Sequence, residues 1–342
     1  VLYYENLEEI IFSKHQLLDN PDELVVISGY LGPAPIKRLK ELPLNTVVIG
    51  GMYSQGVNKN LFSSLDKIKQ DDDGLTLLFS KIDIHSKIYI WKKKGKIISA
   101  LIGSANFSRN GLCTDFRESL ADATSDTFQP LNKYLQMIVD NSTSKPNIVE
   151  KIANQIDFEY QTDKTVTQNL NLQFSYDIPL FATKNGQNCV PEKSGLNWGF
   201  SDGHTAIGDA YIKIPKELLR QQAELIPPFD KHYIPTSKKK RNSDPIEIIW
   251  DDGTIMEASL EGEQNLDDLI YPKQLTSYSK NRPVLDGERI SAKSILGRYL
   301  RNRLNVDVDE LITMQTLNNY GRTTITLSLI EQGLYYADFS VK

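Results

Sequence analysis

The sequence predicts an α/β domain followed by a mostly-β domain, and three observations carry that expectation. Up to about residue 140, short apolar runs alternate with amphipathic stretches. From Asn141 the text turns polar, with a proline and few β-branched residues. Beyond Thr165, β-branched runs separated by turn residues predominate. The first pattern is that of strands and helices layered on a mixed, mainly parallel sheet, and the last that of a mostly-β domain with long irregular loops. The expected division is an α/β domain over 1–140, a linker over 141–165 and a mostly-β domain over 166–342. A chain of 342 residues, 40% hydrophobic and 24% charged, is long enough for two cores.

In the first part, "ELVVISGYL" reads as a strand and "PIKRLKEL" as a helix opened by Pro35. "NTVVIGGM" is a second strand, "NLFSSLDKIKQ" a second helix and "GLTLLFS" a third strand. "HSKIYIWKK", a turn at Gly95 and "KIISALIGS" form a β-hairpin, and "TFQPLNKYLQMIVDNS" is a helix. The linker "NSTSKPNIVEKIANQ" has room for a short helix. Strands then follow at "LNLQFSY", "AYIKIP", "IEIIWDD", "MEASLEG" and "TTITLSLIEQGLYYADF". Helices interrupt them near "KELLRQQAEL" and "SAKSILGRYLRNRL".

Bulk properties exclude several classes. Two cysteines, Cys113 and Cys189, lie far apart, without metal-ligand spacing or a disulfide framework, and read as reduced structural thiols of a cytoplasmic protein. No apolar run reaches membrane-spanning length, so no membrane partner is expected. The N-terminal "VLYYENLEEIIFSK" is acidic where a signal peptide would be basic, and its opening valine suggests trimming by a residue or two. A net charge of −5 argues against general coating of nucleic acid but leaves room for a groove-sized basic patch. "KKKGK", "KKKR" and "GRYLRNRL" are the basic clusters, each with a solvated surface as the plain alternative.

One segment, "IHSKIYIWKKKGKIISALIGSANFSRNGL", carries concentrated chemistry. On a strand, His85 and Lys87 would share a face, and Ser104 and Asn106 would lie near its rim on the next strand. An imidazole, an ammonium, a hydroxyl and a carboxamide within reach of one anion suit phosphodiester cleavage. Histidine serves as nucleophile, and lysine and asparagine hold non-bridging oxygens without a metal. A lone His-x-Lys pair is weak by itself, but the downstream "GSAN" strengthens it. The segment resembles the phospholipase D superfamily, whose motif runs His-x-Lys, four residues, Asp, then Gly-Ser-x-Asn. Lys92 stands at the aspartate position, a departure shared with the nuclease branch, which carries a glutamate further on. Glu118 of "DFRESL" supplies that glutamate, and the resemblance implies that it orients His85. Asp115 is its rival, and a salt bridge to Arg117 is the plain alternative for either.

The second part also carries a resemblance. "SGLNWG", "DAYIKIP" and "SILGRYLRNRLN" resemble the plant B-three-like recognition domains of phospholipase-D-type restriction endonucleases of the BfiI, NgoFVII and NgoAVII types. A pseudobarrel with two DNA-gripping arms is implied, one arm containing Lys193, Asn197 and Trp198, the other Lys280, Asn281 and Arg282. Trp198 reads equally well as a core residue shaping its arm. Arg298 and Arg301 share a helix face, where DNA contact and internal ion pairs are the alternatives.

The resemblance thus implies a sequence-specific endonuclease of a bacterial restriction-modification system, acting on double-stranded DNA in the cytoplasm at the nucleoid. No metal or other cofactor is expected. None of the other histidines, His15, His204 and His232, heads a second His-x-Lys, whereas the superfamily needs two copies face to face. A homodimer with a composite site follows. Two alternatives stand beside this: a phospholipid-processing phosphodiesterase, and a DNA-targeting subunit that cuts only with a separate ATPase or translocase, the one route by which ATP would enter.

Overall fold

The computed structural model describes residues 1–150, 174–230, 242–279 and 282–341. The chain divides into two compact units. The first comprises Val1–Asn171 with Ile330–Leu334, and the second Leu172–Leu329 with Tyr335–Lys342.

The first unit opens with β1 (Leu2–Tyr3), α1 (Leu7–Ser13), β2 (Glu23–Ser28), α2 (Pro33–Arg38), β3 (Asn45–Gly50), β4 (Val57–Asn58) and α3 (Lys59–Gln70). It continues with β5 (Leu75–Ser80), β6 (Lys87–Lys93), β7 (Lys96–Gly103), α4 (Arg109–Leu112), β8 (Leu120–Asp122), α5 (Phe128–Asp140), β9 (Ser142–Thr143) and β10 (Ile148–Val149). Eight strands form one sheet in the order β1-β8-β7-β6-β2-β3-β5-β9.

The sheet is mixed, as expected, but its parallel part is narrow. Only β2, β3 and β5 run parallel, joined through α2 and α3; the hairpin β6–β7 and the strands outside it pair antiparallel. The reason is connection length, since the short turn at Lys94–Gly95 returns the chain directly. Helix α2 starts at Pro33 rather than Pro35, because both prolines fit the first turn, where an N–H has no intrahelical acceptor. Asn58 caps α3 by accepting from the N–H groups of Asn60 and Leu61. Leu131, Leu135 and Ile138 of α5 pack into a core with Val25, Ile27, Ile49 and Ile88.

The polar text after Asn141 begins inside this unit. β9 pairs with β5, and β10 pairs with β4. Such two-residue edge strands are held by backbone bonds and need no apolar side chains. The rest of the expected linker lies outside the described residues, as does the start of the expected strand "LNLQFSY".

The second unit is mostly β. Its elements are β11 (Ser175–Pro179), β12 (Ala182–Lys184), β13 (Gln187–Cys189), β14 (Ile212–Lys213), α6 (Lys216–Gln221), β15 (Ser243–Trp250), β16 (Ile255–Leu266) and β17 (Leu269–Ser277). β18 (Val284–Leu285), β19 (Glu288–Arg289), α7 (Ser294–Leu304), α8 (Met314–Tyr320), β20 (Thr324–Glu331) and β21 (Leu334–Asp338) follow. Seven strands form a sheet in the order β11-β20-β21-β15-β16-β17-β14 around a core that includes Ile248, Trp250, Leu260, Leu296 and Leu300. Hairpins β12–β13 and β18–β19 stand apart as two-stranded ribbons. Their turns, Asn185–Gly186 and Asp286–Gly287, have positive φ at both residues, the geometry that fits the twist of a tight hairpin.

Helix α8 is not anticipated by the apolar pattern. Its signals are a capping box between Thr313 and Thr316 and a left-handed Gly321 at its end. The last expected strand resolves into the pair β20 and β21, broken at Gly333 with φ 77°.

Candidate active site and DNA-recognition residues

The site gathers where β2 ends, β6 begins and β7 ends, neighbouring positions because β6 is antiparallel to both flanking strands. Pairing begins at Lys87, opposite Gly103, so His85 sits two residues ahead of the strand rather than within it. Its backbone is nevertheless held. The N–H of Ile84 donates to the Gly51 carbonyl at 3.0 Å. Any Cβ at position 51 would fall 1.9 Å from the Ile84 oxygen, so only glycine fits. The imidazole itself is exposed, with the Tyr30 ring edge-on to it at 6.3 Å.

Lys87 is 6% exposed, and its Nζ donates to the His85 carbonyl at 2.8 Å. Glu118 is half-buried on the approach to β8. Burial raises its pKa above the ordinary value, while the Ser104 hydroxyl and the Lys87 ammonium pull the other way. The Glu118 carboxyl thus interacts with Ser104 and Lys87. Ser104, exposed at the end of β7, also exchanges bonds with Ser119: its N–H donates to the Ser119 carbonyl, and its Oγ accepts from the Ser119 N–H. Asp115, the rival acid, is exposed and accepts from the Asn6 N–H, which ties it to the start of α1.

Asn106 has a defined amide orientation. Its Oδ1 accepts from the Tyr30 N–H at 3.2 Å, which directs Nδ2 away as the donor. Ser28, at the end of β2, accepts from the Phe107 N–H at 2.8 Å and donates to the Tyr30 carbonyl at 2.6 Å. A Cβ built on Gly29 would lie 3.2 Å from both Asn106 Oδ1 and His85 Cδ2, so the glycine lets these two groups converge. Ser28, Gly29, Tyr30 and Gly51 were not among the candidates read from the sequence. The "SGY" that closes strand β2 was the available signal, since ligands gather at the C-terminal ends of parallel strands.

"KKKGK" forms the distal tip of the hairpin. Lys92 pairs with Glu23 at 3.0 Å, Lys93 pairs with Asp19 at 2.7 Å, and Lys94 adopts φ 49° in the turn. Among the described residues, no three His, Cys, Asp or Glu side chains cluster closely enough to share a metal ion.

The cluster of His85, Lys87, Ser104 and Asn106, followed by a mostly-β unit, coincides with two family matches. Residues 5–154 match the NgoFVII restriction endonuclease N-terminal PLD (phospholipase D) domain. Residues 165–331 match the NgoFVII C-terminal B3-like DNA-binding domain. The chain belongs to the NgoFVII-type restriction endonucleases. It is a phosphodiesterase of the phospholipase D superfamily whose partner is DNA. Curated proteins include no match. Among solved structures, NucT from Helicobacter pylori is 16% identical, with TM-score 0.31, over 42% of this chain and 96% of its own. Nuc from Salmonella typhimurium, a phospholipase D family member, is 10% identical, with TM-score 0.30, over 42% and 89%. At such scores the likeness adds nothing to the family matches.

In the endonuclease's B3-like domain, the expected DNA-binding residues separate into two groups. Asn197 is fully buried: its Nδ2 donates to the carbonyls of Pro191 and Ile312, and its Oδ1 accepts from Ile312 N–H and Arg301 Nη2. Arg301 is 2% exposed, with further bonds to the carbonyls of Leu196, Gly297 and Glu310. Both side chains are spent inside the domain, which corrects their expected place on the DNA surface. Amide and guanidinium groups satisfy buried carbonyls as well as they read bases.

The other group reaches solvent. Lys193 is exposed and pairs with Asp202 at 2.6 Å. Trp198 is half-buried, edge-on to Tyr211, with Lys293 Nζ 5.2 Å from its ring centre. Arg298 is half-buried, and Arg282 is exposed. Lys280 and Asn281 lie outside the described residues. Arg303 pairs with Asp251 at 2.8 Å and donates to the hydroxyls of Tyr299 and Tyr320, an internal network. Among the described helices, none is long and apolar enough to cross a membrane.

Proposed function

We propose that this endonuclease cuts double-stranded DNA at a specific sequence without a metal, through a phosphohistidine at a site completed by a second copy. The observation that supports this best is the exposed His85 imidazole, with the buried Lys87 bonded to the His85 carbonyl and the Asn106 carboxamide oxygen held by the Tyr30 N–H. His85 attacks phosphorus, the bond to the leaving oxygen breaks, and His85 of the second copy gives that oxygen a proton. Water then cleaves the phosphorus–nitrogen bond and regenerates the imidazole. Lys87 and Asn106 hold non-bridging oxygens as charge builds. Ser104 and Glu118 form a connected rim, in which Glu118 balances the Lys87 charge. In this reading Lys193, Trp198, Arg282 and Arg298, which keep some exposure, contact DNA, along with Lys280 and Asn281 from the arm implied by sequence.

The test incubates the purified chain with plasmid in EDTA, with and without ATP, and sequences the ends. Defined ends in EDTA, together with an acid-labile covalent DNA–protein adduct at His85 after denaturing at alkaline pH, are expected. Full dependence on added magnesium would overturn the mechanism. Cutting only with ATP and a second protein would move the chain to the subunit class that needs a motor. One composite site handles one strand at a time, so nicked circles should precede linear DNA. Linear product with no nicked intermediate, at enzyme near the plasmid concentration, would refute the single site.

A further inference from the structure

We propose that Ser28 is a positioning residue for the phosphate-binding amide of Asn106. This rests on the nuclease reading above and adds the element that sets the amide's direction. In the sheet, β6 separates β2 from β7. Beyond Lys87, where β6 begins, the chain that continues β2 meets the chain that continues β7 directly. Leu31 bridges to Phe107, the Gly32 N–H donates to the Phe107 carbonyl at 2.8 Å, and the Tyr30 N–H donates to Asn106 Oδ1.

Ser28 closes this junction from beneath. It is fully buried, and its one hydroxyl both donates to the Tyr30 carbonyl and accepts from the Phe107 N–H. Its Oγ also lies 3.4 Å from Asn106 Oδ1. Both bonds act on the same feature: one holds the Tyr30 peptide whose N–H grips Asn106, and the other holds the peptide just after Asn106. A hydroxyl can do this because it carries a donor and acceptor lone pairs on one atom. An apolar side chain would release both peptides, and the carboxamide could then turn its oxygen toward the anion.

The test compares single-turnover DNA cleavage, DNA binding and thermal unfolding for the full chain and for Ser28→Ala, Ser28→Cys, Asn106→Ala and the Ser28→Ala/Asn106→Ala pair. Misplacing one contact at a reacting centre costs up to roughly 100-fold, and Ser28→Ala is expected to slow cleavage by roughly 10- to 100-fold with DNA affinity unchanged. In the Asn106→Ala background the same change should cost nothing more, because its effect passes through that amide. Ser28→Cys keeps the shape with a much weaker hydrogen bond, so it should stay folded and still lose rate; it carries the test if the alanine variant fails to fold. A folded variant that cuts within about twofold of the parent, or losses that multiply with Asn106→Ala, would overturn the proposal. If the parent chain cuts neither alone nor with ATP and a second protein, the nuclease reading fails instead. Calorimetric binding of inorganic phosphate then tests Ser28 on its own: weaker binding by Ser28→Ala is expected, and equal binding would overturn it.

Discussion

Asn197→Ala separates a scaffold role from a DNA-reading role for the "LNWG" motif. The carboxamide uses its whole capacity: two donated bonds, to Pro191 and Ile312 carbonyls at 3.1 and 2.8 Å, and two accepted bonds, from Ile312 N–H and Arg301 Nη2 at 2.9 and 3.1 Å. Alanine strands two buried donors, one of them on a cation, and two carbonyls. A stranded buried group costs about 1–3 kcal/mol and a charged one more, so the total should reach at least about 3 kcal/mol. For a domain of this size about 1 kcal/mol corresponds to roughly 2–4 °C, which places the expected drop in Tm at roughly 6–12 °C. Trp198 and Trp250 are two of the three tryptophans, so their fluorescence reports on this unit during thermal or urea unfolding. Measured below the transition, the folded variant should bind the same DNA sequence as the parent. A variant that melts with the parent but changes its preferred sequence would refute the burial argument and return Asn197 to the recognition surface.

Other expectations concern both units. Gly29→Ala places a methyl 3.2 Å from Asn106 Oδ1 and His85 Cδ2, and cleavage should fall by roughly 10- to 100-fold with little change in Tm; a fully active variant would show that the turn yields. Glu118 has a raised pKa in the folded chain, so the folded state holds its proton to higher pH than the unfolded state does. Its contribution to stability is thus largest in acid and is lost as pH rises through the folded value. Across that window the Tm of Glu118→Gln should gain on the parent, and parallel curves would contradict this. Arg303→Leu breaks the pair with Asp251 and both tyrosine contacts, and should cost about 3 kcal/mol in urea unfolding, the lower end for a buried pair.

Local chemistry was legible in the sequence, and long-range packing was not. Strand β2 announces itself as a continuous apolar run because both of its faces are covered, and β3 and β5 follow it with only their early residues Asn45 and Thr76 exposed. His85, Lys87, Ser104 and Asn106 could be grouped in advance because all four lie at or just beyond the strand ends of one hairpin, whose register follows from its turn. Ser28 and Gly51 escaped notice because their roles arise only when distant parts of the sequence meet. Arg301 misled for a different reason. Its spacing from Arg298 on a helix is real, but residue type does not reveal which side of that helix faces the core.

The clamp at Gly51 and Ile84 bears on how such an enzyme can change over generations. Immediately before Ile84, residues Lys81, Ile82 and Asp83 are exposed, while Ile84 is buried and bonded to Gly51. His85 is thus fixed independently of the exposed side chains that precede it. Those side chains can acquire new surface chemistry without moving the histidine, and the constraint falls instead on a glycine with no reactive group of its own.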